Sequence, residues 1–214
     1  VNNLVVMIRF ADHISRSLPS VSDIDTLFNA VGGDPDLAPT GSIRDLYLEN
    51  SYGQFQLNST VHAWVTLSQT EAYYANGQSG DQTLWQGLLE ALTQLDQTVN
   101  FSDFDSDGDG AIDAIAFLHS GYGAEWGGTD ADGASQNDRI WSHRWAMQSS
   151  AWTSEEGVTV NDYHISPALW GTSGSEIGRI GVIAHETGHF FGLPDLYDTD
   201  GGGAGIGSFG LMAN

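Results

Sequence analysis

His185-Glu186-Thr187-Gly188-His189-Phe190-Phe191-Gly192-Leu193-Pro194-Asp195 is the stretch on which the reading of this chain turns. Residues four apart share one face of a helix, so His185 and His189 can direct their imidazoles at one metal ion. Glu186, next to the first histidine, reaches the same point from the side, where a carboxylate acts as general base on a metal-activated water. Gly192 follows the second histidine by three residues. A glycine there takes the left-handed conformation that ends a helix and reverses the chain, bringing Asp195 back as a third ligand. Three protein ligands and one open position describe catalytic rather than structural zinc. A His-Glu-x-x-His pattern alone also arises by chance on unrelated helices. Here the histidine pair, the glutamate, the glycine turn and the acidic third position all agree.

The flanks extend the reading. Ser173 and Glu176 fit a capping box, and Ile177, Ile180, Val182, Ile183 and Ala184 supply an apolar entry to the predicted helix. After Asp195 come Leu196-Tyr197-Asp198, a glycine-rich run over 201–207, and Ser208-Phe209-Gly210-Leu211-Met212-Ala213-Asn214. An extended histidine motif followed by a downstream methionine is the metzincin pattern, with Met212 as the residue expected beneath the metal.

Further pieces carry a wider resemblance. They are Val5-Val6-Met7-Ile8-Arg9-Phe10-Ala11-Asp12-His13, Ser42-Ile43-Arg44-Asp45-Leu46-Tyr47-Leu48-Glu49-Asn50-Ser51-Tyr52-Gly53-Gln54, Asp105-Ser106-Asp107-Gly108-Asp109-Gly110, Ile140-Trp141-Ser142-His143-Arg144-Trp145, and Gly205-Ile206-Gly207 leading into Leu211-Met212. In this order and spacing the chain resembles the catalytic domain of the M6 peptidases, the immune-inhibitor-A-like metzincins. The resemblance implies an α+β zincin domain with a twisted, mostly parallel sheet, packed on a backing helix and a zinc-binding active-site helix. It implies a secreted, extracellular zinc endopeptidase whose protein or peptide substrates dock extended along a strand edge. It also implies a longer precursor of which residues 1–214 are one domain, since such proteins continue beyond the methionine.

Composition bounds the alternatives. The 214 residues suit a single domain with a full core, expected to be monomeric. With no cysteine there is neither a disulfide framework nor thiol chemistry. The net charge of −22, with all six basic residues arginine, argues against binding nucleic acid or an anionic membrane through the general field. No apolar run approaches the roughly 18 residues of a membrane span.

Part of the acidic excess invites a cation. Asp105, Asp107, Asp109, Gly110 and Asp113 fall at positions 1, 3, 5, 6 and 9 of a calcium loop. Position 12 is Ala116 rather than a bidentate glutamate, and Ile112 to Leu118 reads as a buried strand. A structural calcium turn held by Asp105, Asp107, Asp109 and Asp113 is therefore preferred over a true EF-hand or an empty acidic loop. Asp198 and Asp200 form a weaker candidate pair.

The remaining pattern alternates strands and helices. Strands are predicted over Leu4–Phe10, Gln54–Leu57, Val61–Leu67, Ala111–Leu118 and Arg139–Trp145, with Asn58-Ser59-Thr60 as a turn. Helices are predicted over Asp23–Ala30, Ser42–Asn50 and Thr83–Val99, the last with a leucine stripe. Within the resemblance this long helix backs the zinc helix, while its leucine stripe by itself reads as plain core packing. Gly121–Asp138 reads as a long surface loop, and loops of that size are more often functional than idle. His13, His62, His119, His143 and His164 read as structural. The competing function is a calcium-dependent binding or adhesion module on an inactive protease scaffold. The intact Glu186 and ligand set count against it.

Overall fold

The computed structural model describes residues 1–198, 200, 202–203 and 205–213; Gly201 of the glycine-rich run and the terminal Asn214 lie outside them. The sheet is organised by β1 (Asn2–Arg9), whose Leu4 to Ile8 are fully buried on both faces. A strand covered on both sides carries an unbroken apolar run, as parallel sheets require. β1 pairs in parallel with β2 (Asn58–Thr66) on one side and β3 (Ala114–His119) on the other. β3 pairs in parallel with β7 (Asp162–Pro167), and β4 (His143–Ala146) closes the sheet antiparallel to β7. The order is β2-β1-β3-β7-β4, and β5 (Trp152–Thr153) and β6 (Thr159–Val160) form a separate ribbon.

Period-two alternation divides the core. Leu4, Val6 and Ile8 with Ile115 and Phe117 face one layer, containing α3 (Glu71–Ala75) and α4 (Gln82–Leu95). Val5, Met7, Ala116 and Leu118 face the other, with α1 (Val21–Asn29), α2 (Ile43–Asn50) and α5 (Ile180–Phe190). Leu84, Leu88, Leu92 and Leu95 of α4 are buried on one face, each worth about 1.5–3 kcal/mol over exposure. Local signals set the helix starts: Ser20 with Asp23 and Ser42 with Asp45 form complete capping boxes.

Four expectations are corrected. Gln54–Leu57 is not a strand, and Asn58-Ser59-Thr60 is not a turn. Asn58 and Ser59 pair with Asn2 and Asn3, so ladder hydrogen bonds override the local preference of these polar residues. Ser173 and Glu176 do not cap the zinc-motif helix, which begins at Ile180 after Arg179 and carries no side-chain cap. The Glu176 carbonyl instead accepts from the Trp170 N–H (2.8 Å), holding this segment as a bridged loop. α4 does not back α5, because it covers the opposite face of the sheet. The helix that meets α5 is α2, whose Tyr47 hydroxyl donates to the Ala184 carbonyl (2.6 Å). The 121–138 segment is a loop, as expected, but not wholly at the surface. It holds two short 3-10 turns and buries Tyr122, Ala124 and Asp130.

Candidate metal centre

α5 carries His185, Glu186 and His189 into a cleft of about 760 Å³ beside the edge strand β4. The helix ends on Gly192 at φ +85°, where the Gly192 N–H reaches the His189 carbonyl and the Leu193 N–H reaches that of Gly188, both at 3.0 Å. This is a Schellman termination, and the left-handed residue it requires is the glycine marked by the sequence. Past the turn, Asp195 Oδ1 comes 3.3 Å from His185 Nε2 and 3.0 Å from His189 Nε2. One donor atom from each of the three lies within 4.8 Å of the others. Asp195 Oδ1 is buried and accepts no hydrogen bond among the described residues. A buried, orphaned carboxylate oxygen between two imidazole nitrogens fits a cation.

The histidines are oriented from behind. His185 Nδ1–H donates to the Leu211 carbonyl (2.9 Å), and His189 Nδ1–H to that of Leu193 (2.8 Å). Because a carbonyl only accepts, both rings carry their proton on Nδ1 and present the Nε2 lone pair to the site. Met212 lies under the helix: a Cβ at Gly188 would come 2.7 Å from its Sδ, so only glycine allows this approach. The Met212 carbonyl accepts from the Leu196 N–H (2.7 Å), which ties the 195–197 turn to the terminal segment.

Glu186 is 7% exposed. Burial, reinforced by the charges of Glu125 and Asp195, pushes its carboxyl up to about 8, while a backbone hydrogen bond from Arg144 on β4 works the other way. A divalent cation beside it would oppose that rise. Tyr197 also lines the cleft, and its hydroxyl is raised by burial and by hydrogen bonding to Asp195. Behind α5, Thr187 sits 3.3 Å from His164 Nε2, and burial lowers that imidazole to about 3. His13 and His143 are likewise hydrogen-bonded within the fold.

The acidic loop is only partly assembled as expected. Asp105, Asp107 and Asp109 bring carboxylate oxygens within 4.8 Å of one another. Asp113 stands outside that group, its carboxylate accepting from Ser106 N–H and Oγ and from the Asn2 N–H. Ala116 lies inside β3, so no EF-hand helix follows. Asp198 and Asp200 belong to no three-ligand group among the described residues.

The sequence pointed to the two histidines and the aspartate that cluster here and missed the residues that support them. Tyr47 lies within the Ser42–Gln54 stretch that carries the family resemblance, but nothing local marks its contact with α5. Glu125 stood unmarked in a loop whose length alone suggested a role.

Comparison with known proteins follows the same lines. Residues 25–214 match the family described as Immune inhibitor A peptidase M6, catalytic domain. The chain is 32% identical over 211 residues to Immune inhibitor A of Bacillus thuringiensis subsp. alesti, covering 81% of this chain and 28% of that protein. It is 30% identical over 194 residues to the pre-pro-metalloprotease PrtV of Vibrio cholerae serotype O1, covering 77% and 20% respectively. The chain thus spans under a third of the length of either relative. A match over most of its length, including the histidine–aspartate cluster at the end of α5, places this chain in the M6 peptidase family, within the match to its catalytic domain.

Proposed function

We propose that this chain is the catalytic domain of a secreted zinc-dependent endopeptidase, with His185, His189 and Asp195 as ligands and Glu186 as general base. The observation that carries the proposal is the orphaned Asp195 Oδ1 facing two Nε2 atoms at 3.3 and 3.0 Å. A zinc ion held there would polarise the scissile carbonyl and bring the pKa of a water from about 15.7 toward 7. Glu186, buried beside the ligands, takes the proton of the attacking water and returns it to the leaving amine. β4 supplies backbone partners for an extended substrate, since no strand pairs with its outer edge among the described residues and its residues line the cleft. The Leu211 and Leu193 carbonyls hold the imidazoles in orientation, and Met212 packs beneath Gly188, where the metzincin pattern puts its methionine.

A structural calcium ion at Asp105, Asp107 and Asp109 accompanies this reading. It is supported by three carboxylates meeting in a loop just before a central strand. Among the described residues no helix is long and apolar enough to cross a membrane. Hydrolysis of a fluorogenic protein substrate, with zinc content measured in parallel, tests the function. Glu186→Gln is expected to lose at least about a thousandfold in kcat and keep one zinc per chain. Turnover that survives this change, or zinc lost with it, would remove Glu186 from the proposed role.

A further inference from the structure

The cleft holds one charge without a task. Of the ionisable groups lining it, Arg144 is paired with Asp162, and Arg179 donates to the carbonyls of Asp36 and Leu37 (3.0 and 3.4 Å). His185, His189, Asp195 and Glu186 belong to the proposed centre. Glu125 has no cationic partner among the described residues, although it lines the same cleft as Glu186.

Glu125 is also held as a binding group is held. It sits on the 3-10 turn Ala124–Trp126, whose first residue donates its N–H to the Ile140 carbonyl (2.9 Å). The fully buried Arg139 fastens the following residues, donating to the carbonyls of Gly127 (2.6 Å) and Gly128 (3.2 Å). Ser142, at the entry to β4, donates its Oγ–H to Glu125 Oε1 (2.8 Å) and its N–H to Oε2 (3.4 Å). Both oxygens are thus oriented by neutral donors. Next to it Trp126 and Trp170 meet edge to face at 4.8 Å, each nearly half exposed, and Trp170 lines the cleft. A carboxylate beside exposed indoles suits an arginine or lysine side chain, by ion pairing and by cation–π contact.

We infer that Glu125, with Trp170 and Trp126, forms a specificity subsite for a cationic side chain at one position flanking the scissile bond. The inference rests on the peptidase reading. The net charge of −22 acts in the same direction by concentrating basic peptides near the cleft, an effect that salt removes.

The test is a positional set of fluorogenic peptides carrying arginine, citrulline or glutamate at each position around the scissile bond, cleaved by the zinc-loaded chain. One position is expected to favour arginine over the isosteric, uncharged citrulline by about tenfold in kcat/KM, the scale of a partly desolvated ion pair with cation–π contact. Glu125→Gln keeps an oxygen for Ser142 and should bring that ratio close to one. Glu125→Lys should turn the preference at the same position toward glutamate. Each ratio is read within one variant, so a general loss of fold or of zinc does not imitate the result. An unchanged ratio in Glu125→Gln, or no position at which arginine is preferred, overturns the inference and leaves the peptidase reading standing. Failure of the wild-type chain to cleave any peptide overturns both.

Discussion

Gly188→Ala isolates the packing beneath the proposed metal centre. In a helix interior the exchange gains up to about 1 kcal/mol from propensity. At this site the new methyl would start 2.7 Å from Met212 Sδ and 3.4 Å from Leu193 Cδ1. Ordinary contact begins at 3.4 Å, so the sulfur must retreat by about 0.7 Å. Met212 is 5% exposed and has little room, and overpacking of this kind costs about 1–3 kcal/mol. The two terms nearly offset in global stability, leaving a loss of about 0–2 kcal/mol. The displacement nevertheless passes to Leu211, whose carbonyl orients His185, and disturbing such an outer partner lowers metal affinity by about 10–100-fold. Gly181→Ala on the same helix is the control, because a Cβ there meets nothing within 4 Å. Zinc dissociation constants from chelator competition, with thermal melts of metal-free protein, read both effects. Gly188→Ala should lose at least about tenfold in zinc affinity with a small shift in melting. Gly181→Ala should keep its affinity and gain a few tenths of a kcal/mol. Equal zinc affinity in the two variants would refute the claim that Met212 and Leu211 support the site.

Asp195→Ala should weaken zinc binding by at least about a hundredfold and abolish hydrolysis, since two imidazoles alone would remain; a dissociation constant within threefold of wild type would exclude Asp195 as a ligand. Calcium at a hundredfold excess over its dissociation constant should stabilise the fold by about 2.7 kcal/mol, and Asp107→Ala should abolish the response. Identical melting curves with calcium and with a calcium chelator would leave the loop as a solvated acidic turn. Urea midpoints should fall as pH drops below 6.5. His13, His119 and His164 are lowered by burial to about 4, 3 and 3, so the unfolded chain takes up protons that the folded chain refuses. Glu71, raised by burial to about 8, works oppositely, favouring the fold below 4.5 and losing that contribution as pH rises toward 8. A midpoint that holds steady from pH 6.5 to 5 would show that these histidines do not remain neutral in the fold.

Much of this protein was legible in the chain because its chemistry is local. His185, Glu186, His189 and the Gly192 turn lie within eight residues, where helical spacing and left-handed glycine fix relative positions whatever surrounds them. The helix near Ser42–Asn50 and the unbroken apolar run of β1 were readable for the same reason. Tertiary structure decided what depends on distant partners. Whether Asp195 reaches the imidazoles is settled through the Leu196–Met212 hydrogen bond, and the ring orientation through a carbonyl 26 residues from His185. Asn58 and Ser59 became strand because the register with β1 outweighed their turn preference. α4 and α5 lie on opposite faces because the pleat of β1 assigns Leu4 and Val5 to different layers, a choice that no helix periodicity encodes. Glu125 acquires its place beside Glu186 only when Arg139 and Ser142 bind its loop to the sheet. Spacing within a segment fixes which groups can act together. Long-range pairing and burial decide which of them meet, because those contacts join residues that the chain itself keeps apart.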